Sequence, residues 1–161
     1  MSALSDAALK IAISQIGQKE IPLGSNWGHP VQDYLARVGI LFPASWCMAF
    51  VYWCFDEAYK TITPENPIEN FNPLIKTAGV LDAWEKADAT FKVEDNPQVG
   101  DIFIMDFGKG LGHTGIIVSV ENDHILSTIE GNTSDTGSRE GIAVEKKVRY
   151  NQKPIIGYLR Y

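Results

Sequence analysis

Cysteine is scarce in this chain. Cys47 and Cys54 are the only two among 161 residues, too few for the disulfide framework of a small secreted scaffold. They stand seven positions apart on one apolar, helix-like run. At ~1.5 Å of rise per residue their Cα atoms fall ~10.5 Å apart, beyond the about 7 Å that a disulfide tolerates. Both thiols are therefore expected to be free. Histidine is scarce too, with three residues, and no CxxC, HxxxH or HxxE spacing gathers ligands for zinc. No DxDxDG calcium loop and no GxxxxGK or GxGxxG phosphate loop occurs. No metal and no cofactor is expected. Basic runs are also missing, and the formal net charge is -6. Nucleic acid is thus not an expected partner. No apolar stretch is long enough to span a bilayer, so membrane insertion is not expected. The opening MSALSDAALK lacks the basic and apolar regions of a secretory leader. Synthesis in the cytoplasm without a signal peptide is the expectation.

What is present suits one globular domain over residues 1–161. Hydrophobic residues make up 45% and charged residues 21%, enough apolar side chain to fill a core and too little charge for disorder. Ser5 or Asp6 is read as the cap of a first helix, roughly Ala7 to Gln15, which Gly17 ends. Pro30 opens a second, VQDYLARV, and Gly39 stops it. A third runs from Cys47 to about Tyr59, with Ser45 as its N-cap. Pro64, Pro67 and Pro73 forbid a long regular element in the next stretch. A short helix, VLDAWEKA, follows. After Gln98 the texture changes. DIFIMDF, HTGIIVSV, HILSTIE, IAVEKKVRY and IIGYLRY are short, β-branched and aromatic, and turn residues separate them. The expected class is α+β, with N-terminal helices packed on a C-terminal antiparallel β-sheet.

Cys47 is the residue that suggests chemistry. A sulfur in the first turn of a helix faces unpaired N–H groups and the positive end of the helix dipole, which favour a thiolate. A thiolate is the form that attacks a carbonyl. Downstream, GKGLGHTG carries His113 and EGN carries Glu130 and Asn132. The two histidine-bearing and acid-bearing strands join near ENDH. With Asn122-Asp123 as a two-residue loop, His113 lies opposite Asn132 and Gly115 opposite Glu130. With Glu121-Asn122 as the loop, His113 faces Glu130 directly. Side chains alternate along a strand, so Glu130 and Asn132 share the face of His113 in either register. One of them can fix the imidazole tautomer and leave the other nitrogen for Cys47. A three-residue loop without a compensating bulge would break this relation. Nucleophile, base and orienting group, in that order, point to a cysteine hydrolase. Cys54, two turns further on, is read as a packing thiol. His29 and His124 are read as surface residues. Trp27, in a turn-rich loop, and Trp46, beside the nucleophile, are the candidate walls of a substrate groove. Trp53 is read as packing. The Cys47 backbone N–H is one expected oxyanion donor, and Asn26 is a candidate for the second.

The run WCMAFVYWCF, the approach NPQVGDIFIMDFG, the strand GHTGIIVSV and the element EGNT resemble CHAP domains, the cysteine- and histidine-dependent amidohydrolases/peptidases. The similarity spans about Gly17 to Tyr161. It implies a papain-like fold and hydrolysis of amide bonds in bacterial peptidoglycan, either at the N-acetylmuramoyl-L-alanine bond or within the stem peptides and cross-bridges. Cys47 would be the nucleophile and His113 the base, with Glu130 and Asn132 as third and fourth site positions. Such domains occur in phage endolysins and in interbacterial amidase effectors. Stem peptides would be the partner, with an immunity or inhibitor protein as a second one. The enzyme would act on the cell wall or in the periplasm after release or export. Two rivals stay open: a cysteine peptidase or transglutaminase-like enzyme on protein substrates, and a silent glycan- or peptide-binding module.

Overall fold

A computed structural model describes residues 1–62, 72–122, 124–134 and 141–161. The helices are α1 (Ala3–Ser14), α2 (Val31–Arg37), α3 (Cys47–Ile62) and α4 (Val80–Lys86). The strands are β1 (Lys92–Val93), β2 (Ile102–Asp106), β3 (Gly112–Glu121), β4 (Ile125–Thr133), β5 (Ala143–Tyr150) and β6 (Ile155–Leu159). They form a six-stranded sheet in the order β1-β6-β2-β3-β4-β5, antiparallel at every pairing. Helices first and an antiparallel sheet after them make the α+β arrangement consistent with a papain-like fold.

The first helix begins earlier than its composition suggests. Ser2, not Ser5 or Asp6, is its cap, accepting from the Ser5 N–H at 3.1 Å. Ser5 instead uses its hydroxyl on the Tyr161 carbonyl at 2.7 Å, which ties the C-terminal residue to α1. Part of the proline-rich stretch, residues 63–71, lies outside the described residues.

α3 forms the middle of the core. Met48, Ala49, Phe50, Val51, Cys54, Phe55 and Ala58 are fully buried along it, far more than one face of the helix. Such a helix must be covered on several sides. It packs against α1, α2, β3 and β4. Tyr34 from α2 stacks on Trp46 at 5.7 Å between centroids and meets Phe50 and Trp53 edge-on. A second, smaller cluster gathers Phe103, Met105, Ile117, Leu126, Ile155 and Tyr158.

The connection between β3 and β4 differs from a two-residue hairpin. Glu121 pairs with Ile125, leaving three residues between them, of which position 123 lies outside the described residues. Asn122 turns the chain with φ 53°, a left-handed conformation that asparagine tolerates. Taken alone, this loop would put Glu130 on the wrong face. The register then shifts at Val118: Ser119 pairs with Ser127, but Ile117 pairs with Thr128 and Ile116 with Ile129. A bulge adds one residue to one strand and restores the parity. One step beyond the last pair, this register sets Gly115 opposite Glu130; β4 is irregular again between Glu130 and Thr133, with Asn132 at φ 54°.

Candidate active site

α3 starts at Cys47. The first helical hydrogen bond runs from the Phe50 N–H to the Trp46 carbonyl at 2.9 Å. Trp46 is therefore the cap residue, one position later than Ser45, and Cys47 opens the first turn. Trp46 has no side-chain oxygen with which to cap the amides behind it.

Glycine brings the helix to the sheet. A Cβ on Gly131 would stand 2.8 Å from Phe50 Cβ and 2.8 Å from Trp46 Cζ3. Only a residue without a side chain lets the start of α3 sit this close to β4. Gly115 does the same inside the sheet. Its Cβ would meet Glu130 Cγ at 2.7 Å and the Ile129 carbonyl at 2.6 Å. The stem of Glu130 thus passes over Gly115 towards His113.

The result is a short polar chain. His113 Nε2 lies 2.7 Å from Glu130 Oε2, with side chains 1% and 0% exposed. Arg149, on β5, reaches across and donates to both carboxylate oxygens, Nε to Oε1 at 2.7 Å and Nη2 to Oε2. The Thr128 hydroxyl donates to Oε1 at 2.6 Å. Burial opposes ionisation of Glu130, but the hydrogen bonds and charges of Arg149 and His113 outweigh it and lower its pKa to about 2. The anion accepts from Nε2–H, which fixes the tautomer. Burial likewise opposes the imidazolium, yet hydrogen bonding and charge from Cys47 and Glu130 raise the His113 pKa to about 9. Nδ1 has no hydrogen-bond partner of good geometry among the described residues, so the nitrogen beside Cys47 is open for proton transfer. Cys54 is different: complete burial, then the charge of Glu57, push its thiol well above the ordinary range.

The four expected residues are placed unequally. Cys47, His113 and Glu130 are coupled. Asn132 is fully buried at φ 54°, and neither side-chain polar atom has a partner among the described residues. It does not hold His113; Glu130 does. Trp46 is wholly buried, with its indole N–H donating to Glu20 Oε1 at 2.8 Å. It backs the nucleophile from within the core and is not a groove wall. Trp27 is half-buried and packs against the main core. Asn26 lines a small cavity with Glu20, Gly24, Gly141 and Ile142. His29 is exposed beside Asp33 at 3.0 Å, and His124 is exposed in the turn before β4. No group of three or more His, Cys, Asp or Glu among the described residues is placed to hold a metal ion. No described helix is long and apolar enough to cross a membrane.

Sequence reasoning does not single out Arg149 or Glu20. Arg149 is 19 residues from Glu130, and its segment reads as an ordinary alternating edge strand. Glu20 sits in a turn-rich stretch where an acid is expected at the surface.

Compared with known proteins, residues 40–132 match the family model of the CHAP domain. No curated protein and no solved structure gives a match. The matched span covers more than half of the chain and contains Cys47, His113, Glu130 and Asn132. The chain belongs to the CHAP family, whose domains are cysteine- and histidine-dependent amidohydrolases and peptidases.

Proposed function

We propose that the protein is a cysteine amidase or endopeptidase that hydrolyses amide bonds of bacterial peptidoglycan. The observation that carries the chemistry is the divided imidazole of His113. One nitrogen is held by an ionised carboxylate, and the other is open beside a cysteine at a helix start. His113 takes the Cys47 proton and the sulfur attacks the carbonyl carbon. The C–S bond forms as the carbonyl π-bond opens. The Cys47 backbone N–H donates to the oxyanion. The imidazolium then protonates the departing amine, the C–N bond breaks and a thioester remains. Water, deprotonated by His113, attacks the thioester. The carboxylic acid leaves and the thiol is regenerated.

In this reading Glu130 holds the imidazole and favours its charged form. The wall as substrate rests on membership of the family, many of whose members act there. An endolysin and an interbacterial effector both fit this activity, and a protein that blocks Cys47 would protect a cell carrying the same wall.

Purified sacculi and casein are the deciding substrates. Soluble peptide or glycan fragments from sacculi, with casein intact, are expected, and mass spectrometry of the fragments identifies the bond. Casein cleavage with intact sacculi would turn the reading to a peptidase on proteins. Failure on both, with Cys47 unreactive, would favour a binding module.

A further inference from the structure

Glu20 is an acid in an unusual position. It is 1% exposed. Oε1 accepts from the Trp46 indole, whereas Oε2 has no hydrogen-bond partner among the described residues. An unpaired buried carboxyl oxygen is costly, so its retention calls for a partner that arrives. Glu20 also borders a cavity of about 120 Å³, together with Gly24, Asn26, Gly141 and Ile142. That is well above the ~10–15 Å³ a single water needs.

The cavity is wired to the candidate active site on both sides. Trp46, which Glu20 holds, precedes Cys47. Its other wall bonds to the chain just after Glu130. The Gly141 N–H donates to the Asn132 carbonyl at 3.0 Å and the Ile142 N–H to the Thr133 carbonyl at 3.0 Å. The Glu20 N–H in turn donates to the Ile142 carbonyl at 2.9 Å. Glu20 Oε2, both polar atoms of Asn132 and Thr133 Oγ1 are buried without hydrogen-bond partners among the described residues. Of these residues Glu20 borders the cavity, and an unsatisfied buried polar group calls for an explanation such as an absent polar partner.

We propose that this cavity is a subsite for a protonated primary amine of the substrate, with Glu20 as its anionic acceptor. The proposal rests on the peptide-amide chemistry above and adds to it a preference for a diamino-acid side chain near the scissile bond. A carboxylate accepts from an ammonium through a charge-assisted hydrogen bond, about twice as strong as a neutral one. Gly24 and Gly141 present backbone without side chains, and Asn26 supplies an amide at the rim.

Native sacculi and sacculi acetylated on their amines provide the test. The parent is expected to release fragments from native material about tenfold faster or more. Glu20→Gln keeps an acceptor for Trp46 but loses the charge, and the ratio is expected to fall to about one. A parent indifferent to acetylation, or a ratio that survives in a folded Glu20→Gln, overturns the proposal. A second readout needs neither sacculi nor the variant. Nα-acetyl-lysine methylamide should slow alkylation of Cys47 by iodoacetamide, and its Nε-acetyl derivative should not. Equal effects from the two probes would refute the subsite even if sacculi are cut. Protection by the ammonium probe alone, with sacculi left intact, would uphold the subsite and refute the wall as substrate.

Discussion

At Glu130 two demands meet. The carboxylate must stay ionised in a fully buried place, and it must keep one oxygen on His113. Arg149 and Thr128 meet both demands by occupying its lone pairs from the far side. Glu130→Gln is expected to lower kcat by roughly 10²-fold or more, the scale of a lost general-base arrangement, and Asn132→Ala by less. The pH dependence has a definite sign. Glu130 is one of the groups that raise the His113 pKa to about 9, so its removal lowers that pKa. The alkaline limb of kcat/KM, where the imidazolium loses its proton, should move to lower pH in Glu130→Gln. Superimposable limbs with near-normal kcat would remove Glu130 from the mechanism. Arg149→Met should be destabilising, by about 2–4 kcal/mol, because it takes two charge-assisted hydrogen bonds from a buried carboxylate and leaves His113 as its cation. Urea unfolding near neutral pH measures this, and a loss under 1 kcal/mol would contradict it. Cys47, His113 and Glu130 are legible in the sequence because each stands in a local motif whose neighbours betray it. Arg149 is not, because its partner is on another strand and only the folded register brings them together.

Among the elements, β3 and β4 carry the precision. Their shared face was readable from alternation alone, provided the turn kept the parity. The turn has three residues and breaks it, and the bulge at Val118 restores it. Nothing in HTGIIVSV signals a bulge, because its cause is the fit between the turn and the two strands. The glycines next to the site residues are a different matter. Gly115 and Gly131 stand inside the motifs, yet their purpose shows only in what a Cβ would strike. Gly115→Ala should push Glu130 away from His113, so activity should fall at least tenfold with a modest loss of stability. Gly131→Ala should push α3 off β4, and overpacking of this kind costs about 1–3 kcal/mol. Thermal unfolding alongside hydrolysis separates the two. An active, parent-like Gly115→Ala would mean that the approach of Glu130 over that glycine is dispensable.

Over the whole molecule, one helix delivers the nucleophile, one hairpin delivers base and acid, and an edge strand adds the cation. The helical half and the sheet half are both legible from composition. The way they meet, through a glycine at the helix–sheet contact, is not. If the wall is the substrate, the parent should be harmless when expressed in the cytosol and lytic when a periplasmic leader is added. Cytosolic toxicity that depends on Cys47 would point to an intracellular substrate. The two thiols offer the sharpest contrast in the chain, one beside His113 and one sealed in the core. Peptide mapping after limiting iodoacetamide at neutral pH, with residual hydrolysis measured on the same samples, tests the central claim most directly. The expected result is a single label on Cys47, Cys54 unmodified, and hydrolysis lost in proportion to labelling. Hydrolysis that persists when Cys47 is fully labelled, or a label that appears first on Cys54, would contradict the cysteine mechanism.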